Sequence, residues 1–279
     1  MAEDKETQNS GNCNHDCEKC ASECADREIT RITANSHSDI KKIIAVVSGK
    51  GGVGKSLVSG LLAVNAARSG KNVAVLDADI TGPSVPKMFG ISGRVMGGPE
   101  GIMPAETKGG IEVMSINLIL DDPEDPVIWR GPIISSVLQQ FYSDVDWGDI
   151  DVMFVDMPPG TSDAPLTVYQ QLPVDGIIIV TSPQELVSLI VKKAVNMAEQ
   201  MGIPILGIVE NMSYFECPAC HKKHHIFGES HVKQIAEQYG IANVAEIPID
   251  SSLAELCDNG RIEEYSGNWL EALSEVISK

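Results

Sequence analysis

The stretch Ile43-Ile-Ala-Val-Val-Ser48-Gly-Lys-Gly-Gly-Val-Gly-Lys-Ser56, followed at once by Leu57-Val-Ser-Gly-Leu-Leu-Ala-Val-Asn-Ala-Ala-Arg68, decides the fold. Its first five residues are continuously apolar, as expected of a strand covered on both faces. Its last twelve read as a helix. Between them lies GxxxxGK[ST], a phosphate-binding loop in the strand, loop, helix order that such a loop requires. Gly49, Gly51, Gly52 and Gly54, with Lys50 and Val53 among them, let backbone N–H groups curl around phosphate oxygens at a helix N-terminus that opens with Leu57. Lys55 reaches the β and γ phosphates and the Ser56 hydroxyl ligates Mg²⁺, so the stretch calls for ATP and Mg²⁺.

Outward from this loop, the same alternation repeats. Apolar runs at 72–79 (NVAVLDAD), 151–156 (DVMFVD), 176–182 (GIIIVTS) and 205–211 (ILGIVEN) read as further buried strands. Helix-like segments separate them. The clearest is Gln184 to Met201, where Leu186, Leu189, Ile190, Ala194, Met197 and Met201 share one face and read as core. Repeated strand, helix, strand units predict an α/β fold, a mainly parallel sheet with helices on both faces joined by right-handed crossovers. Ligands in such sheets bind at the carboxyl ends of the strands. Two of the runs end there in carboxylates, Asp77 and Asp79 in one and Asp156 in the other, placed to hold Mg²⁺ through water and to position an attacking water. Gly160, in the loop after Asp156, is placed to offer an N–H to the γ-phosphate. The Gly and Pro-rich stretch 90–110 reads as a surface excursion.

The chain has 279 residues and a formal net charge of −18, which makes phosphate backbones and anionic lipid poor partners. Residues 1–41 are polar, without a sustained apolar period, and read as a Cys-rich tail ahead of a P-loop domain at 42–279. No basic start with an apolar h-region opens the chain, and no window of about 18 uncharged apolar residues follows, so a soluble, cytoplasmic protein is expected.

In a reducing compartment seven cysteines point to metal rather than to disulfides. Cys217-Pro-Ala-Cys220 precedes a run of His and Lys at 221–225. A closed site needs four ligands, so either a dyad supplies two pairs of thiolates, or two histidines complete an intrachain zinc site. A thioredoxin-like redox pair fits less well, since the pair does not open a helix. In the tail, Cys13, Cys17, Cys20 and Cys24 could close a [4Fe–4S] or a zinc site within one chain. Cys257 reads as a small buried apolar residue.

Lys50 makes the loop KGGVGKS, which resembles the deviant Walker A group of P-loop ATPases that includes the nitrogenase iron protein, MinD and ParA. Together with LDADITGPSVP at 76–86, WRGP at 129–132, DMPPGTSD at 156–163 and ENMSYFECPAC at 210–220, it is similar to the Mrp/ApbC (NBP-type) iron–sulfur cluster carriers over roughly residues 40–265. The resemblance implies a weak ATPase in which Lys50 reaches a homodimer partner's nucleotide, Asp79 orients the lytic water and Asp156 is the Walker B aspartate. It implies that Asn211, Pro248 and Asp250 flank adenine. It also implies a labile [4Fe–4S] cluster bridged between subunits by Cys217 and Cys220 and handed to apo-proteins. Two other readings are a MinD- or ParA-like positioning ATPase with structural zinc, and an electron donor of the nitrogenase iron protein type. The first calls for a basic face or terminus, whereas Arg261 and Lys279 stand against eight acidic residues from Glu246 to Glu275. The second uses isolated cysteines rather than a CxxC.

Overall fold

The computed structural model describes residues 31–80, 82–120, 131–160, 163–183 and 187–278. The tail cysteines Cys13, Cys17, Cys20 and Cys24, together with Trp129, Arg130 and Leu186, lie outside the described residues. In chain order the elements are β1 (Asp39–Ile40), β2 (Ile43–Ser48), α1 (Lys55–Arg68), β3 (Val73–Asp77), α2 (Val85–Met88), β4 (Ala105–Glu106), β5 (Glu112–Met114) and α3 (Gly131–Ser143). There follow β6 (Asp149–Ile150), β7 (Val152–Asp156), α4 (Asp163–Gln171), β8 (Gly176–Thr181), α5 (Val187–Met201) and β9 (Ile205–Glu210). The chain continues through β10 (Phe215–Glu216), β11 (Lys223–His224), α6 (Val232–Gln238), β12 (Val244–Glu246), α7 (Ser251–Asp258) and α8 (Glu271–Ser278).

Eight strands form one sheet in the order β12-β9-β8-β2-β7-β3-β5-β4. Every pairing is parallel except that of β4 with β5 at one edge. Side chains alternate across the pleat, so β2 sends Ile43, Ala45 and Val47 into one core and Ile44 and Val46 into the other. Helices α1, α7 and α8 cover the second face, and α3, α5 and α6 the first. Burial on both sides is why these strands read as unbroken apolar runs. The chain leaves β2 towards β3 on one side and later returns to β8 on the other. That switch opens a crevice at the carboxyl end of β2, where the phosphate loop begins.

Three sequence expectations shift. Residues 31–41, assigned to the tail, belong to the packed body: β1 pairs in parallel with β6, the Ile32 N–H donates to the Gln171 carbonyl at 3.0 Å, and Lys41 pairs with Asp151 at 2.7 Å. On α5 the buried face runs through Val191, Ala194, Val195 and Ala198, while Leu189 is 50% exposed. A period-3.6 reading takes any apolar stripe as core, and it could not tell that Leu189 would stand open to solvent. The edge strands β4 and β5 were not anticipated, being two and three residues long inside and beside the glycine-rich excursion. Among the described residues, no helix is long and apolar enough to cross a membrane.

Candidate functional site

The loop from Gly49 to Gly54 runs straight from β2 into α1. Gly54 takes φ 83° immediately before the helix, a left-handed conformation that glycine adopts without a Cβ penalty. A Cβ there would stand 2.1 Å from Asn211 Nδ2, so this glycine also makes room for a neighbour. Gly51 and Gly52 have open space where a Cβ would be. With Lys55, Ser56, Leu57, Asp79 and Lys87 they line a cleft of about 550 Å³.

Lys55 is 6% exposed and lies 2.8 Å from Asp156 Oδ1 and 3.6 Å from Asp79 Oδ2. These are ion-pair distances, yet the buried ammonium makes no hydrogen bond within the protein. Paired in charge with Asp156 on one side, the ammonium keeps its remaining N–H donors for a ligand, and phosphate oxygens suit them. Asp156 is fully buried and accepts hydrogen bonds from Ser56 Oγ at 2.6 Å and Ser59 Oγ at 2.7 Å. The Ser56 proton therefore points to Asp156, which leaves the oxygen's lone pairs for a cation, so the donor set of Ser56, Asp156 and Asp79 fits Mg²⁺. Asp77 is the register neighbour of Asp156 across the parallel ladder. Burial first, and then the adjacent Asp156 charge, push its carboxyl up to about 8. Its Oδ1 accepts from the Asp79 N–H at 3.2 Å and its Oδ2 from Ser115 Oγ at 3.0 Å.

The cysteine pair sits in another setting. β10 and β11 form a two-stranded antiparallel hairpin whose turn is Cys217 to Lys222, outside the main sheet. The Cys217 N–H donates to the Lys222 carbonyl at 3.0 Å and the His221 N–H to the Cys217 carbonyl at 2.8 Å. His221 closes the turn at φ 56°. Backbone N–H groups of Cys220 and Ala219 lower the Cys217 thiol below its ordinary value, which favours the thiolate. Cys220 is exposed and Cys217 half-buried. His221 turns its Nδ1 to Glu216 at 3.1 Å and His225 to the Ser213 carbonyl at 3.3 Å, and neither joins the thiols. Among the described residues no three metal-ligating side chains gather.

Comparison with known proteins assigns the chain a family. The family model described as ParA, NUBPL iron-transfer P-loop NTPase, matches residues 39–279. The chain belongs to this family. An iron–sulfur cluster carrier protein of Clostridium perfringens is 45% identical over 260 residues, covering 89% of this chain and 91% of that protein. The cytosolic Fe-S cluster assembly factor CFD1 of Saccharomyces cerevisiae is 41% identical over 236 residues, 82% of this chain and 80% of its own. A nucleotide-binding protein from Archaeoglobus fulgidus, solved in complex with ADP and with Co found by PIXE, aligns with TM-score 0.77 and 48% identity over 83% of this chain and 91% of that one.

In this iron-transfer NTPase the residues singled out from sequence do not all gather at one place. Gly51, Gly52, Gly54, Lys55, Ser56, Leu57 and Asp79 line the phosphate cleft, and Asp156 lies directly behind Lys55 and Ser56. Gly49 packs against Ile190 of α5, and Val53 is buried. Lys50 is half-buried, and its carbonyl accepts from Ser48 Oγ at 3.0 Å. Three placements bear on the expectations from sequence. The Gly160 N–H donates to the Ser48 carbonyl at 2.8 Å, so in this conformation it ties the two loops together instead of facing a phosphate. Asn211 is buried, and its amide donates to the Val53 carbonyl at 2.9 Å, buttressing the phosphate loop. Cys257 is half-buried and packs against the core, as expected, but it also lines the phosphate cleft, and burial pushes its thiol up to about 11.

Pro248 and Asp250 line a second cleft of about 370 Å³, with Tyr214, Pro218 and Trp269, at the foot of the cysteine hairpin. Asp250 also caps α7, accepting from the Ser252 N–H at 2.8 Å. Ser59, Ser115 and Lys87 escaped the sequence reading. Ser59 had a usable signal, since it follows Lys55 by four residues and so shares its helix face. Ser115 and Lys87 had none, because each reaches the site only through the way its own element packs.

Proposed function

We propose that this iron-transfer NTPase binds ATP with Mg²⁺ in the phosphate cleft, hydrolyses it slowly, and carries a labile [4Fe–4S] cluster on Cys217 and Cys220 for delivery to apo-proteins in the cytoplasm. The observation that carries the reading is a buried ammonium with unused donors at one loop and an exposed pair of thiols at another, both following carboxyl ends of one sheet. Lys55 neutralises the β and γ oxygens, and backbone N–H groups of the glycine loop cradle them. Ser56, Asp156 and Asp79 would hold Mg²⁺, which would supply charge neutralisation for the phosphates. Asp79 orients the water whose oxygen attacks the γ-phosphorus as the bond to the β,γ-bridging oxygen breaks, giving ADP and phosphate.

At the hairpin one chain offers two thiolates and a [4Fe–4S] cluster takes four, so the cargo there is held by a homodimer. In that dimer Lys50 reaches the partner's nucleotide. Asn211, Pro248 and Asp250 flank the adenine, and Asn211 also supports the phosphate loop. The tail cysteines Cys13, Cys17, Cys20 and Cys24 hold a second cluster or zinc. Anaerobic reconstitution with iron and sulfide tests this, read by visible absorbance, Mössbauer spectra and sedimentation. About one cluster per dimer is expected on tail-deleted protein, lost in Cys217→Ala with Cys220→Ala. A full cluster signal in that double variant would overturn the assignment.

A further inference from the structure

Helix α7 touches both functional regions. Towards its C-terminal end, Ala254, Cys257 and Asp258 form a wall of the phosphate cleft. At its other end, Asp250 and Ser251 line the second cleft, whose opposite wall is Phe215, Glu216 and Pro218 of the cysteine hairpin. The segment leading into α7 is stitched to the foot of that hairpin. The Ser213 N–H donates to the Ile247 carbonyl at 2.9 Å, and the Ile249 N–H to the Tyr214 carbonyl at 2.7 Å. The Asp250 cap stiffens the join between segment and helix.

The far end of α7 is fixed as closely. Gly260, at φ 66°, abuts Gly90, at φ 69°, so tightly that a Cβ on Gly260 would stand 2.4 Å from Gly90 Cα. Gly90 lies one residue beyond the end of α2, after the capping Phe89, and Lys87 and Met88 of α2, with the preceding Ser84, line the phosphate cleft. Backbone therefore runs from the cleft wall to the thiols through hydrogen bonds and one glycine-on-glycine contact. A helix of eight residues is about 12 Å long and moves as a unit. The hairpin it joins lies outside the main sheet, with a ladder of two residue pairs and Lys223 over the Tyr214 ring at 4.0 Å, so its aim can change without unfolding the sheet.

We propose that α7 is a strut coupling the phosphate cleft to the cysteine hairpin within a single subunit, so that bound nucleotide sets the reactivity of Cys217 and Cys220. This rests on the nucleotide-binding reading and adds the route by which binding is felt at the thiols. It differs from dimer closure, which would also alter the thiols but only as two chains meet. Concentration separates the two, since an intrasubunit effect is first order and a dimer effect follows mass action.

The test uses the full-length reduced chain under anaerobic conditions. Iodoacetamide alkylation of Cys217 and Cys220 is followed by peptide mass spectrometry, with and without a non-hydrolysable ATP analogue and Mg²⁺, over a wide range of protein concentration. Analogue binding is measured separately by calorimetry. The expected result is a change of about fivefold or more in the alkylation rate, already present at the lowest concentration. In Gly260→Ala, which wedges the α2 contact, that change shrinks while the analogue still binds. If the variant does not fold, the wild-type concentration series decides alone. Bound analogue with unchanged thiols, or a change that grows only with protein concentration, overturns the strut and leaves nucleotide binding standing. No bound analogue would instead sink the nucleotide reading itself.

Discussion

The phosphate cleft and the cysteine hairpin follow strands of the same sheet and are built on opposite principles. In the cleft, Asp77, Asp156 and Lys55 are nearly or wholly out of water, and each carboxylate is held by serine hydroxyls from other elements. Such a site is costly to disturb, because removing one charge strands another in a low dielectric. In the hairpin, residues 218–229 are exposed and the turn is closed by its own backbone. Little is lost there when a side chain changes. On the function proposed above, the rigid site is the one that holds a triphosphate, and the small exposed arm is the one that takes up and releases cargo.

The sharpest way to break this contrast is Lys55→Ala. It leaves Asp156 buried without its counter-charge, and a loss of about 3 kcal/mol in unfolding free energy is expected, with nucleotide binding abolished. Denaturant titration and calorimetry read the two effects. If stability holds, the cleft is wetter than its geometry indicates.

Next comes Asp77→Asn. The folded-state carboxyl sits near 8 against 3.8 for the free group, so between those values the folded protein binds the extra proton. Stability of the parent should therefore fall as pH rises from about 4 to 8 and level off above, by more than about 1 kcal/mol. The asparagine variant should lack that part of the slope, and thermal melts across this window check it.

Asn211→Ala removes a buried amide from the Val53 carbonyl. A cost of about 1–2 kcal/mol is expected, with nucleotide affinity falling about tenfold as the loop loosens. Smallest of all, Cys217→Ala with Cys220→Ala should shift stability by less than about 0.5 kcal/mol while abolishing cluster loading at the hairpin. A large destabilisation by this pair would show that the hairpin is structural after all.

Much of the fold was legible because buried parallel strands leave unbroken apolar runs, and β2, β3, β7, β8 and β9 each announce themselves this way. The phosphate loop was equally plain, since its glycines and lysine do their work locally, within one turn of chain. Side chains that act at a distance were harder to read. Asn211 was expected beside the base, and its bond to the Val53 carbonyl as a loop support was not foreseen. The Gly160 N–H was assigned to phosphate and bonds to Ser48. Leu189 matched a core stripe and faces solvent. In each case the residue type was informative, and its partner, from a segment far away in sequence, decided the role.

The order of apolar runs, the glycine-lysine loop and the paired cysteines were set by local chemistry, which needs only neighbouring residues and so is written in the chain itself. Which carboxylate faces Lys55, what Asn211 holds, and that one short helix spans from the nucleotide wall to the thiol arm were decided only on folding. Those relations join segments up to some 200 residues apart along the chain, and hydrogen bonds and burial between such segments exist only once the sheet has brought them together.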